Sequence, residues 1–146
     1  PTLTKVDFGG EFLGAYDGAV RIAAALRVNT HVTDLDLHSN GIGHVGAKEL
    51  AGILFENSTI TNIDLGNNII GDIGAKALAK ALRTNSAIAT LSLYFNSIGP
   101  DGATAFADAL RTNSALTNLD LESNNICDAG ATAFADSLRI NSALSE

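Results

Sequence analysis

Metal coordination or nucleophilic chemistry in this 146-residue sequence could come from three histidines, His31, His38 and His44, and from one cysteine, Cys127. A zinc site needs several ligands that converge on one point, and a catalytic thiol needs a neighbouring base and a pocket. The histidines fall in three different parts of a repeated unit: its opening, its strand and its loop. We therefore predict no catalytic residue, no metal site and no cofactor, and we interpret Cys127 as a semi-buried structural cysteine.

Aspartates at a fixed spacing are the second chemical feature of the chain. Asp36 and Asp64 are separated by one period of the repeat, and Asp120 lies two further periods along, with Ser92 between them. Aligned on a sheet, these carboxylates would form a docking strip for Lys or Arg of a partner protein, or they are ordinary solvated residues. A metal along the row is disfavoured, because oxygen ligands must close around a cation and a flat row does not.

A repeated unit positions these side chains. Its clearest copy is NSTITNIDLGNNIIGDIGAKALAKALRT, residues 57–84, and its opening recurs at Asn29, Asn85, Asn113 and Asn141. A fixed 28-residue period is typical of solenoids, in which each unit packs on its neighbours. We predict a single domain, 1–146, made of a divergent first unit 1–28, units 29–56, 57–84, 85–112 and 113–140, and the start of a further unit, 141–146.

The apolar period changes within each unit from that of a strand to that of a helix. Ile63 and Leu65 alternate as one face of a short strand does, whereas Ala75, Leu78 and Leu82 are spaced as one stripe of a helix. Each unit is therefore predicted to form a strand, a loop and a helix, in that order. The strands must be parallel, because every unit enters in the same direction.

The helix ends carry signals of their own. Asp72, Asp101 and Asp128 stand at the predicted helix starts, where a carboxylate suits an N-cap. The Asn that opens each unit follows the preceding helix, and we expect it to adopt the left-handed conformation that ends a helix.

The strand half of the unit follows the spacing L-x-x-L-x-L-x-x-N, as in Ile60, Ile63, Leu65 and Asn68, and a full helix follows. This pattern, present four times, resembles the leucine-rich repeats of the ribonuclease-inhibitor-like subfamily. The resemblance implies an α/β fold: a right-handed βα solenoid, part of a horseshoe, with a parallel sheet on the concave face and helices on the convex face. It also implies a ladder of buried, hydrogen-bonded asparagines: Asn40, Asn68, Asn96 and Asn124.

Residues that alternate with the buried strand positions would line the concave face in columns, since neighbouring strands lie about 4.8 Å apart. The resemblance implies that proteins bind there. Tyr94 and Phe95 place two aromatics where other units have small or polar residues, as interface anchors do; alternatively, Phe95 packs over its own loop and only Tyr94 is exposed. The candidate partner-binding residues are Tyr94, Phe95, His38, Asp36, Asp64, Asp120 and Glu122.

Composition restricts the class of partner. The formal net charge is −7 and the isoelectric point is near 4.7, so the chain lacks the basic stripe that nucleic acid or an anionic membrane would require. A protein partner with a basic surface is compatible with this charge. One cysteine excludes an internal disulfide framework and suits a cytoplasmic location.

The leading functional hypothesis is therefore a non-enzymatic protein-interaction scaffold. Two alternatives stay open: a regulator of an enzyme, such as an inhibitor or a GTPase-activating relative, and a designed or consensus repeat array without a natural partner. We also expect the chain to be part of a longer protein, because neither end has the polar cap that a solenoid needs. Uncapped ends would favour self-association.

Overall fold

The computed structural model of the chain describes residues 3–145, without the side chains of Ala15 and Tyr16. Pro1 and Thr2 of the predicted first unit, and Glu146 of the last, lie outside the described residues. Short strands alternate with longer helices along the chain. In order they are β1 Lys5–Asp7, α1 Ala19–Val28, β2 Asp34–Asp36, α2 Gly43–Leu54, β3 Asn62–Asp64, α3 Gly71–Leu82, β4 Thr90–Ser92, α4 Pro100–Leu110, β5 Asn118–Asp120 and α5 Cys127–Leu138. A π-helical turn, Gly14–Gly18, precedes α1.

The five strands form one parallel sheet in the order β1-β2-β3-β4-β5, and the helices form a second layer. Asp34 pairs with Asn62, one full period later, and this offset holds through β5. Lys5 pairs with Asp34 at an offset that is one position longer, because the first strand starts one position early. The predicted alternation of strand and helix in a βα solenoid is confirmed.

The core lies between the two layers. The inward strand residues Leu37, Leu65 and Leu93 are fully buried, as is Phe106 on α4. Small residues let neighbouring helices approach closely: a Cβ atom at Gly74 would lie 2.9 Å from the Cβ of Ala47 on the preceding helix. This packing buries apolar surface in every unit, and such burial is the main source of stability of the fold.

Buried asparagines at the ends of the strands hold successive loops together. The side chain of Asn68 donates to the carbonyls of Leu37, Leu65 and Gly66 at 2.8, 3.0 and 3.1 Å. Its Oδ1 accepts from the backbone N–H groups of Asn40 and Ile42 at 2.9 and 3.2 Å. The same bonds connect Asn96 to the unit before it. They fix the loops that follow the strands.

A second ladder, which the sequence did not predict, lies at the other end of the units. Asn85 donates to the carbonyls of Leu54 and Asn57 at 2.8 and 3.0 Å, and its Oδ1 accepts from the backbone N–H groups of Ala87 and Ile88. The matching bonds of the neighbouring units involve Asn57, Asn113 and Asn141.

The prediction that the opening asparagines adopt a left-handed backbone is wrong. The φ and ψ angles of Asn29 are −84° and 126°, and the positive φ angles of the described chain occur elsewhere. Asparagine is needed at the opening of a unit because its amide hydrogen-bonds to the preceding unit, and it is not needed to end the preceding helix.

The N-cap prediction is also wrong. Asp101 and Asp128 lie inside the first turns of α4 and α5, whose N-cap residues are Gly99 and Ile126. The third predicted cap is Asp72. This residue lies inside the first turn of α3, and its carboxylate does not cap that helix. Its Oδ1 instead accepts from the backbone N–H groups of Gly99 and Gly102, both at 2.8 Å, at the start of α4. Asp72 therefore caps the helix of the following unit and connects the two helices.

Candidate protein-binding face

The outer face of the sheet presents side chains in columns, and we call this surface the concave face. Its first column contains Lys5, Asp34, Asn62, Thr90 and Asn118, and its second contains Asp7, Asp36, Asp64, Ser92 and Asp120. The strand register therefore places the predicted acidic residues in one row. The exposed or half-buried carboxylates give this row a negative potential.

Each of the three candidate aspartates in the second column also has a local structural role. The Oδ1 atom of Asp64 accepts from the backbone N–H of Gly66 at 2.8 Å, two positions further on. Asp36 and Asp120 make the same bond to His38 and Glu122 at 3.1 and 2.8 Å. One oxygen of each carboxylate thus shapes the strand exit. This bond is a structural reason for Asp at the position, beyond its charge.

The third column contains Gly9, His38, Gly66, Tyr94 and Glu122, and small and large residues alternate in it as far as Tyr94. A Cβ atom at Gly9 would overlap the ring of His38, and one at Gly66 would overlap the ring of Tyr94. Each ring therefore lies over the glycine of the preceding unit. Glu122, at the end of this column, is exposed.

Tyr94 and Phe95 form an edge-to-face pair at the exit of β4. Their ring centroids are 6.1 Å apart and their planes meet at 87°. Phe95 is 58% exposed, whereas Tyr94 is half-buried over Gly66. Burial, and then the carboxylates of Asp64, Asp36 and Asp120, raise the pKa of the Tyr94 hydroxyl. The alternative in which Phe95 packs over the loop and only Tyr94 is exposed is wrong.

Phe95 also has an unusual backbone. Its φ angle is 51°, in the left-handed region that bulky residues rarely adopt. The matching positions of the other units have small or polar residues: Gly10, Ser39, Asn67 and Ser123. The loop therefore requires a left-handed residue here, and only this unit has a large apolar one.

Ile69, on the preceding loop, is a feature that sequence reasoning missed. Its side chain is 69% exposed and its φ angle is 58°, which is strained for a β-branched residue. A signal was present in the sequence, since Gly41 and Ser97 occupy the same place in the adjacent units. Ile69 adds apolar surface to the loop edge of the concave face.

The imidazole of His38, in the third column, contacts the acidic second column. Its Nδ1 atom lies 2.7 Å from Asp36 Oδ1, and one ligand atom from each of His38, Asp36 and Asp64 lies within 4.8 Å of the other two. The bond to Asp36, together with the charges of Asp36, Asp64 and Asp7, raises the pKa of His38 despite its partial burial. His31 and His44 are not part of this group. The sequence did not predict this group, because it depends on the direction of the His38 ring over Gly9.

Cys127 is exposed, so its prediction as a semi-buried residue is wrong. Its thiol donates to the carbonyl of Asn125 at 3.3 Å. Its φ angle is 56°, close to the 61° and 59° of Gly43 and Gly71 at the same place in earlier units. The position therefore favours glycine.

No described helix is long and apolar enough to cross a bilayer.

Comparison with known proteins agrees with this architecture. The family described as "Leucine Rich repeat" matches residues 28–51, 56–79, 85–107 and 112–135, more than half of the chain. No curated protein sequence matches significantly.

Two solved structures are similar over almost the whole chain. One, titled "Leiomodin-1 Actin-Binding Site 2 (ABS2)", has a TM-score of 0.81 and 26% identity, over 97% of this chain and 82% of that one. The other, the tropomodulin C-terminal domain of Caenorhabditis elegans, has a TM-score of 0.78 and 13% identity, over 95% of this chain and 84% of that one. At 13% identity the second supports the fold alone. The four family matches, with the five-stranded solenoid, show that the chain belongs to the leucine-rich-repeat family.

Proposed function

We propose that this protein is an interaction scaffold whose concave face binds a partner protein, with Tyr94 and Phe95 as the main contacts. The observation that carries the proposal is Phe95, an exposed aromatic side chain on a left-handed backbone. A bulky residue there destabilises the fold, and such strain occurs most often at functional sites. Aromatic side chains are also the residues most enriched among interface hot spots.

The charges on either side of the aromatic pair indicate the chemistry of the partner. Asp36 and Asp64 lie on the side of the earlier units, and Asp120 and Glu122 lie on the side of the next. A Lys or Arg side chain of the partner would be attracted to these carboxylates and could stack on an aromatic ring. We therefore propose a partner surface that combines basic and apolar side chains.

The experiment compares three forms of the protein in affinity capture from a lysate of its source organism. Tyr94→Ala/Phe95→Ala removes the proposed contacts, and Phe55→Ala removes an aromatic that is 46% exposed at the end of α2. We expect one protein to be retained by the wild type and by Phe55→Ala but lost by the double variant, since removing hot-spot residues weakens binding by about 2 kcal/mol or more. Retention of the same proteins by all three forms would overturn the proposal.

Actin is the first partner to test, because the solved structure at 26% identity is titled an actin-binding site. Co-sedimentation with actin filaments, and gel filtration with actin monomers, would use the same three forms. Binding lost only in the double variant would identify actin as the partner. Absence of wild-type binding would exclude actin, while the lysate capture still tests the concave face.

Four narrower proposals concern the subfamily, the mode of action, the location and the self-association of the protein. The 28-residue unit with a full helix supports membership of the ribonuclease-inhibitor-like subfamily. Action by binding rather than by catalysis is supported by the leucine-rich repeats themselves. A cytoplasmic location follows if actin is the partner. Exposed Phe12 near one end, and Leu138 and Ile140 near the other, support self-association through the ends, which would appear as concentration-dependent sedimentation.

A further inference from the structure

The group formed by Asp36, His38 and Asp64 brings two kinds of metal ligand together on the concave face. Asp36 and Asp64 are direct partners across adjacent parallel strands, and His38 lies two positions beyond Asp36. One ligand atom from each residue lies within 4.8 Å of the other two. All three side chains are half-buried, so an ion could reach them from solvent.

Existing contacts restrict the orientation of these side chains. The ring of His38 lies over Gly9, and its Nδ1 atom is 2.7 Å from Asp36 Oδ1. The Oδ1 atoms of Asp36 and Asp64 accept from the backbone N–H groups of His38 and Gly66. These bonds use one oxygen of each carboxylate and the Nδ1 atom of His38, so the other carboxylate oxygens and His38 Nε2 can turn to an ion. Ligands held in this way lose less conformational freedom when an ion binds.

The electrostatics of the group favour a dication. Like charges on directly opposed strand residues destabilise a sheet, and Asp36 faces Asp64 across β2 and β3. Asp7 faces Asp36 from the other side, so three carboxylates of one column lie in successive strands. A divalent ion would neutralise this repulsion.

We propose that Asp36, His38 and Asp64 bind a Zn²⁺ ion on the concave face. One imidazole nitrogen with two carboxylate oxygens is a ligand set that zinc accepts, whereas Ca²⁺ and Mg²⁺ take oxygen ligands alone. Three protein ligands leave at least one position for water, as in open zinc sites. The site does not depend on the identity of the partner protein or on Tyr94 and Phe95.

The test is calorimetric titration with ZnCl₂ on a Cys127→Ser background, so that the exposed thiol cannot contribute. His38→Ala removes a proposed ligand, and His31→Ala and His44→Ala are matched controls that remove exposed histidines outside the group. We expect one Zn²⁺ per chain, unchanged affinity in both controls, and at least about tenfold weaker binding for His38→Ala and for Asp64→Asn. Millimolar Mg²⁺ should not compete.

Circular dichroism of each variant would establish that it is folded. The proposal is overturned if the parent protein binds no Zn²⁺, if all three histidine variants lose affinity equally, or if Mg²⁺ displaces the zinc. The chemical shifts of the His38 ring protons provide a second readout. They should move on zinc addition while those of His31 and His44 do not, and equal movement of all three rings would also contradict the site.

Discussion

Replacing Asn68 by alanine tests whether the buried asparagine ladder holds the units together. Asn68 is fully buried, and its amide donates three hydrogen bonds to carbonyls and accepts two from backbone N–H groups. Asn68→Ala keeps the Cβ atom and removes all five bonds. The N–H groups of Asn40 and Ile42 would then be buried without these partners.

The expected loss follows from these two groups. A buried donor left without a partner destabilises a protein by about 1–3 kcal/mol, so two of them give a loss of about 4 kcal/mol in the free energy of unfolding. A domain of this size is stable by roughly 10 kcal/mol. The variant should therefore fold, but with a clearly reduced urea midpoint.

Two other asparagines test whether the loss of stability depends on burial of the hydrogen bonds. Asn124 makes the same five bonds at the last described strand but is only half-buried, so water can replace part of them. Asn124→Ala should cost about half as much as Asn68→Ala. Asn67 is exposed, and its side chain donates to the Ser39 hydroxyl at 3.0 Å. Asn67 also has a left-handed backbone, with a φ angle of 55°, which alanine tolerates less well than asparagine, so Asn67→Ala should cost about 1 kcal/mol.

Urea unfolding followed by far-ultraviolet circular dichroism measures all three losses, provided that the slope of the transition is unchanged. The order Asn68, Asn124, Asn67 is the specific expectation. A loss below about 1 kcal/mol for Asn68→Ala would show that the loops relax and that the ladder is not a main source of stability. Equal losses for Asn68→Ala and Asn124→Ala would refute the argument from burial.

Two further substitutions test the backbone and the helix ends. Cys127→Gly should stabilise the protein by about 0.5–1 kcal/mol, because relief of the strain of a left-handed non-glycine residue exceeds the entropy that glycine adds to the unfolded chain. Thermal unfolding under reducing conditions measures this gain in stability. Cys127→Ser should give no gain. Asp72→Ala should destabilise the protein by about 1 kcal/mol, because it removes the bonds to the N–H groups of Gly99 and Gly102. Asp128 has the same position in α5 as Asp72 has in α3, but no described helix follows α5 for it to cap. Asp128→Ala is therefore the control, and equal losses for both variants would contradict the cap between units.

The repeat period allowed the fold to be predicted from the sequence. Once the strand and helix patterns of one unit are placed, the 28-residue offset fixes the pairing of every later strand, as in Asp34 with Asn62. The columns of the concave face follow from that pairing. Long-range contacts are normally hard to predict, but in a solenoid each contact is a repeat of the last.

The sequence also contained a signal for the second ladder. Asn is present at every unit opening from Asn29 onward, whereas a left-handed helix end accepts Gly as readily. Invariance within the repeat indicated a role for the amide side chain itself. The amide bonds of Asn85 to Leu54 and Asn57 provide that role.

The direction of side chains could not be predicted in the same way. The grouping of His38 with Asp36 and Asp64 depends on the His38 ring lying over Gly9, and the partial burial of Tyr94 depends on its ring lying over Gly66. Both arise from a large residue beside a glycine in the preceding unit. That pairing involves two units at once, and the pattern of a single unit does not contain it.

The left-handed loop positions provide an argument that connects stability with function. The fold places them in every unit, and Gly10, Gly41 and Gly71 occupy such positions at little energetic cost. A non-glycine residue there costs about 1–2 kcal/mol, and for Phe95 the edge contact with Tyr94 offsets about 0.5–1.5 kcal/mol of it. Ile69, 69% exposed, has little burial to offset its strain. Because packing offsets most of the strain at Phe95 but little of it at Ile69, we propose that the exposed Ile69 side chain contacts a bound partner.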